Sequence, residues 1–207
     1  LSKCLEVDTF VATSYESQES VLSVYKNSRK NIEDLKCKGV KVKHLVDGKD
    51  IQETLSDEKY ENAFDFIIWN FPCIRAAGGG DAQVADIDEN KDLVRRFFSS
   101  AKQFLRKTSS GYRGGEIHVT HKTFEPFCWW DILALGVDAG LEYRGSMVFD
   151  RYLYPGYVNR KALDNKSFPF IDAQVCSSSS SSSSSSRCQF AYSLFRPRHY
   201  YYHCHHV

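Results

Sequence analysis

An α/β domain built on an open, mostly parallel sheet is the fold class this sequence predicts, and three observations predict it. Phe64 to Trp69 (F-D-F-I-I-W) is a nearly continuous apolar run of strand length, as expected of a strand covered on both faces of a parallel sheet. Strand-like and helix-like periodicities alternate along the chain, which places helices on both faces through right-handed crossovers. The 207 residues, 42% apolar and 26% charged, suffice for one ordinary core.

The elements follow in order. Thr9 to Ser14 (T-F-V-A-T-S) is a short β-branched strand, and Ser17 opens a helix carrying Val21, Val24, Tyr25, Ile32 and Leu35, stopped by Gly39. Val40 to Val46 alternates with period two and ends at Asp47-Gly48. The F-D-F-I-I-W strand closes at Asn70-Phe71-Pro72, where Pro72 cannot donate to a ladder. Leu93, Val94, Phe97, Phe98, Ala101, Phe104 and Leu105 make one apolar helical face. Glu116 to Thr120 is a strand, Pro126 to Leu141 a helix with Trp129, Ile132, Leu133 and Val137, and Ser146 to Tyr154 a further strand. Ligands of such sheets sit beyond the carboxyl ends of the strands. The residues of interest are therefore Ser14 to Glu16, Asp47, Asn70 to Pro72 and Thr120 to Lys122.

Composition excludes several classes. Lys and Arg number 27 against 26 Asp and Glu, a net charge of +1 that announces no polyanionic partner. No run approaches the roughly 18 apolar residues of a membrane span, and the start, L-S-K-C-L-E, has no signal-peptide pattern, so the chain reads as intracellular. Seven scattered cysteines without a C-x-x-C pair argue against a disulfide framework or a closed zinc site, and no metal is expected. His203-Cys204-His205-His206 holds ligand types, but adjacent side chains cannot all converge on one ion.

Ten serines from Ser177 to Ser186 break the composition. They predict a domain over 1–175, a flexible linker over 176–186 and a disordered basic, aromatic tail over 187–207. The tail holds Arg187, Arg196 and Arg198 and no acid, leaving 24 basic against 26 acidic residues, or −2, in the first 186.

Asn70-Phe71-Pro72 after its strand, then Gly115 to Thr120 (G-E-I-H-V-T), then Tyr154 to Tyr157 (Y-P-G-Y), resembles the 25S rRNA (uridine-N(3))-methyltransferase-like family. Ala12 to Ser17 (A-T-S-Y-E-S) is similar to that family's second strand and following turn, and the match runs from about Val7 to Val175. The resemblance implies a Rossmann-like, S-adenosylmethionine-dependent methyltransferase acting on N3 of uridine in large-subunit rRNA, nuclear, nucleolar or cytoplasmic; a monomer is expected, though no residue pattern sets the oligomeric state. The family's first strand, central in its sheet, and the glycine-rich turn after it have no counterpart upstream of Val7, so the chain reads as an N-terminally incomplete copy lacking its central strand. The family also has a histidine where this chain has Cys73, and the last strand expected after Phe168-Pro169-Phe170 is overtaken by the serine run.

Site residues emerge from strand ends and resemblance together. Glu16 resembles the acid that accepts the cofactor's ribose hydroxyls; a surface glutamate beside a helix cap is its plain alternative. Asp47 resembles the residue that meets the adenine amine, with an Asp-Gly turn as alternative. Asn70, Phe71 and Pro72 are the catalytic candidates, since an amide, a stacking ring and a fixed carbonyl suit a base edge, and Asn70 also borders the cofactor. The base must be unstacked before its ring nitrogen is reached. The uridine N–H must lose its proton, for which His118 and His121 are candidates by position, against hydrogen-bonded core histidines. Lys122 is a candidate for an RNA phosphate. Tyr154 and Tyr157 are candidates for the substrate-side wall. A non-catalytic RNA- or protein-binding module and a small-molecule methyltransferase are the rival functions.

Overall fold

The computed structural model describes residues 7–55, 60–74, 86–109, 114–154, 156–160, 166, 172–179 and 198–203. Its strands are β1 (Val7–Thr13), β2 (Lys41–Lys43), β3 (Phe66–Asn70), β4 (Glu116–Lys122), β5 (Glu142–Val148), β6 (Ala173–Ser179) and β7 (Arg198–His203). The helices are α1 (Gln18–Val24), α2 (Ser28–Cys37), α3 (Ile51–Thr54), α4 (Ile87–Ala101) and α5 (Ile132–Asp138). One sheet joins all seven strands in the order β2-β1-β7-β3-β4-β6-β5. The first five in that order run parallel, and β6 lies antiparallel between β4 and β5. This is the predicted doubly wound α/β class. The chain reverses direction of travel at the edge strand β2, so right-handed crossovers put α1 and α2 on one face and α3, α4 and α5 on the other.

Side-chain alternation explains which residues face the core. Ile67 and Trp69 on β3, with Ile117 and Val119 on β4, are fully buried beneath α4, whose Val94, Phe97 and Phe98 cover them. Trp69 meets Phe97 edge to face at 4.4 Å between ring centres. Gly136 of α5 comes so close to the sheet that a Cβ there would stand 3.5 Å from the Ser178 hydroxyl and 3.8 Å from the Phe98 ring.

Several boundaries differ from the sequence reading, each for a local reason. The single helix expected after Ser17 is two. Ser17 caps α1 by accepting from the Ser20 amide at 3.1 Å, and the chain then breaks at Asn27, which takes a left-handed φ of 72°. The helix expected over Pro126 to Leu141 is likewise split at Asp131 (φ 50°), which caps α5 through the Ala134 amide. That split turns Trp130 inward and leaves Trp129, Leu133 and Val137 exposed. The strand expected over Ser146 to Tyr154 runs instead over Glu142–Val148, with a register shift between Tyr143 and Gly145, and Arg151–Leu153 beyond it forms a 3-10 turn.

Two corrections concern the serine run and the tail. Cys176 to Ser179 belong to β6 rather than to a linker, so the strand overtaken by serine is nevertheless made. Small side chains fit there: Ser178 and Ser179 are buried, Ser177 donates to Glu116 Oε2 at 2.9 Å, and Ser179 accepts from Arg144 Nε at 2.7 Å. Residues 180–197 and 204–207 lie outside the described residues, as does Pro155. Arg198–His203 is β7, a strand where a disordered tail was expected. It fills the central place between β1 and β3 that the sequence reading left empty. Backbone pairing on both sides holds it there, and a composition argument does not detect that.

Candidate functional site

The carboxyl ends of β1, β2, β3 and β4 bring the expected strand-end residues to one rim of the sheet. At the end of β1, Ser14 and Glu16 are buried while Tyr15 between them is 53% exposed. Glu16 Oε1 accepts from the Tyr25 hydroxyl at 2.9 Å. Its Oε2 is buried and has no hydrogen-bond partner among the described residues. Desolvating a carboxylate oxygen without a partner costs roughly 1–3 kcal/mol or more, which makes Oε2 a candidate acceptor for a ligand donor. The plain reading of Glu16 as an exposed residue beside a helix cap does not fit a side chain 7% exposed.

The backbone around Glu16 is held from β2. The Ser14 hydroxyl donates to the Glu16 carbonyl at 2.9 Å, so its contact of 2.7 Å with His44 must be a hydrogen bond from Nδ1–H. His44 Nε2 is then a buried acceptor without a partner among the described residues. Burial, with a smaller contribution from Lys36, lowers the pKa of His44 and keeps it neutral. Leu45, 63% exposed and at φ 60°, passes its amide to the Glu16 carbonyl. Asp47 is half-buried and behaves as a turn residue: Oδ1 accepts the Lys49 amide at 2.8 Å, and Lys49 Nζ stands 4.0 Å from Oδ2.

Asn70 ends β3 in register with Thr120, whose hydroxyl donates to Asn70 Oδ1, while the Phe71 amide donates to the Thr120 carbonyl at 2.8 Å. Phe71 has φ 52° and its ring is only 8% exposed, facing Phe149 edge-on at 5.8 Å. The turn beyond is fixed by Asn90 of α4: Oδ1 accepts the Ile74 amide and Nδ2 donates to the Asp86 carbonyl, both at 2.9 Å. Phe149 gathers the expected aromatic wall, stacking on Tyr154 at 5.7 Å and meeting Tyr157 at 72°. Lys122 at the end of β4 rests over the Phe127 ring, 4.3 Å from its centre.

The two histidines are placed elsewhere. His118 lies level with Ile68, two residues below Asn70 in register, and its Nε2 meets Glu116 Oε2 at 2.9 Å while its ring packs on Phe66. His121 is buried, with Nε2 donating to the Phe127 carbonyl at 3.0 Å and the ring against Trp130. Burial first, and Lys122 less, pull its pKa down to about 4 against the hydrogen bond that raises it. Among the described residues no group of His, Cys, Asp and Glu is arranged to hold a metal, and no helix is long and apolar enough to cross a membrane.

Tyr25, His44, Asn90 and Phe149 were not found by sequence reasoning. Asn90 lay at the end of a polar stretch ahead of the Leu93 helical face and Phe149 inside a strand pattern, and only the tertiary pairing shows what they hold. Removing the Phe149 ring should undo three aromatic contacts worth about 0.5–1.5 kcal/mol each. Phe149→Ala is expected to lose about 2 kcal/mol of stability in urea unfolding, with Phe149→Leu recovering part. An unchanged midpoint would show that the rings do not support one another.

Comparison with known proteins adds the family. An uncharacterized protein of Arabidopsis thaliana is 34% identical over 153 residues, 72% of this chain and 68% of that one. The heavy metal-associated isoprenylated plant protein 41 of the same plant is 33% identical over 152 residues, 72% of this chain but 27% of its own length. Among solved structures, a "Putative DNA Modification Methylase" from Thermus thermophilus superposes with TM-score 0.40 at 12% identity, over 69% of this chain and 55% of that one. The same protein complexed with S-adenosyl-L-methionine gives 0.39 at 12% identity, over 69% and 56%. The chain thus spans about two thirds of the first relative and just over half of the solved chains. The model of the rRNA (uridine-N3-)-methyltransferase BTM5-like proteins matches residues 1–161, and on that match the chain belongs to the BMT5-like family of methyltransferases.

Proposed function

We propose that the chain carries an S-adenosylmethionine-dependent methyltransferase activity directed at N3 of uridine in large-subunit rRNA. The observation that carries this reading is Glu16: a buried carboxylate with one oxygen unpartnered among the described residues, at the carboxyl end of β1, in a member of this family. The residues present fit the cofactor's nucleoside portion. Glu16 Oε2 would accept from the ribose hydroxyls, and Asp47 would face the adenine amine beside exposed Tyr15 and Leu45. The bound cofactor supplies the methyl group as a sulfonium electrophile. The chain's own contribution is then orientation and proximity. Asn70, its amide turned by Thr120, and Pro72 would align the uracil edge, with the Phe149, Tyr154 and Tyr157 rings as a wall, Phe71 packed behind Phe149, and Lys122 near the phosphate.

The uridine N3 proton must leave during transfer. His121 is a weak base tied to a carbonyl, and His118 is held by Glu116, so in this reading solvent takes the proton. A second reading is favoured by one observation. Asn70-Phe71-Pro72 is followed by Cys73, where the family has a histidine. This reading is a non-catalytic module that keeps the sheet and binds RNA or protein.

The test is incubation with rRNA and methyl-labelled S-adenosylmethionine, followed by digestion to nucleosides. Label in 3-methyluridine is expected; label nowhere would select the second reading. Within that assay Asn70→Ala is expected to lower the rate at least about tenfold, while His118→Gln stays within about threefold because His118 does not reach the base. The reverse ranking would move the site from the strand end to the sheet face.

A further inference from the structure

The middle of the sheet is supplied by the last described segment of the chain. β7 pairs in parallel on both sides, from Val7↔Arg198 to Thr13↔His203 against β1 and from Phe66↔Tyr200 to Trp69↔His203 against β3. Its centre, Tyr201, stands between Val11 and Ile67, both fully buried. Among the described residues β1 and β3 do not pair with each other, so β7 joins the β2-β1 half to the β3-β4-β6-β5 half. Glu16 and Asn70, the strand-end residues nearest the middle, stand on opposite sides of it.

The partners of β7 are far from it in sequence. β1 ends at Thr13 and β3 at Asn70, while β7 begins at Arg198, so its pairing closes the largest loops among the described strand pairs and comes only once those loops have closed. Until then β1 and β3 each present an uncovered parallel edge, the arrangement that captures extended strands.

We propose that the gap between β1 and β3 is a strand-accepting site, which takes an extended peptide of this chain's own C-terminal sequence in parallel register and is filled in this chain by Arg198–His203. Recognition comes from main-chain groups paired on both sides, so a residue without an N–H in the middle of the strand abolishes it. A tethered strand competes at an effective concentration of about millimolar, so micromolar free peptide does not displace it. The proposal stands on backbone pairing and does not depend on methyl transfer.

The experiment uses the full chain and Tyr201→Pro, with a fluorescent peptide spanning Arg196 to Val207. Tyr201→Pro is expected to unfold at lower urea and to capture the peptide at least about tenfold more than the parent at micromolar concentration. The same peptide with proline at the Tyr201 position should be ignored by both. If Tyr201→Pro does not fold alone, refolding it with the unmodified peptide, and not with the proline peptide, should recover folded protein. A variant as stable as the parent, or one that captures no peptide and is not recovered by it, overturns the proposal. Exchange of the strand between two copies, seen as dimer in concentrated parent protein, would support it.

Discussion

Glu16→Gln is expected to stabilise the protein while weakening its grip on S-adenosylmethionine about 100-fold. The two effects share one cause. The carboxylate is buried, Oε1 is satisfied by Tyr25, and Oε2 is left without a donor among the described residues. Desolvating an ionised oxygen without compensation costs more than desolvating an amide, so the neutral isostere relieves a penalty of about 1–2 kcal/mol in the free protein. The same change removes a charged acceptor for a ribose hydroxyl, an interaction of about 2–3 kcal/mol, which corresponds to the affinity loss. Urea unfolding and calorimetric titration measure the two arms separately. A structural glutamate would behave otherwise: its replacement would lower stability and leave ligand affinity alone, and that pair of results would remove Glu16 from the site. Glu16→Ala distinguishes less well, because it also strips the Tyr25 hydroxyl of its acceptor.

The parts of this molecule that could be read from the sequence are those determined by local chemistry. β3 was legible because F-D-F-I-I-W is apolar on both sides, and both its faces and both its edges prove to be used. Glu16 and Asn70 were legible because a parallel sheet aims its strand ends at one rim, whatever the side chains are. The hidden parts depend on pairing across the chain. Three serines in β6 read as linker because nothing in serine itself says strand; the ladders to β4 and β5 make the strand, and Ser178 lies within van der Waals reach of a Cβ at Gly136. β7 is a sharper case, since its place between β1 and β3 is a property of the sheet and no period in R-H-Y-Y-Y-H announces it. In the site, Phe71 was read as a stacking face, whereas its ring is covered and Phe149 stands in front of it. His118 and His121 were candidates by position alone, a criterion blind to which partner each ring has already taken.

His121 should make the protein acid-sensitive, and the sign can be worked out. In the unfolded chain the imidazole titrates near 6.5; in the folded protein burial pulls this down to about 4. Between those values the unfolded state binds the proton and the native state does not, so stability falls as pH drops. The contribution is fully present above about pH 6.5, is lost progressively below it, and is gone near pH 4, amounting to about 3 kcal/mol. His44, also lowered by burial, adds in the same direction. Carboxylates titrate in the same acid range, so the effect of His121 has to be isolated by difference. His121→Gln keeps an N–H donor for the Phe127 carbonyl but cannot take up a proton. Urea unfolding of parent and variant at a series of pH values from about 7.5 to about 4 should therefore give curves that run parallel above about pH 6.5 and converge below it. The parent loses about 3 kcal/mol more than the variant over that range. Curves that stay parallel throughout would mean that the native protein admits the proton, and with it that His121 is exposed enough to titrate beside Lys122. That result would also reopen His121 as the group that accepts the uridine proton, because only an imidazole that titrates near neutrality can serve as that base.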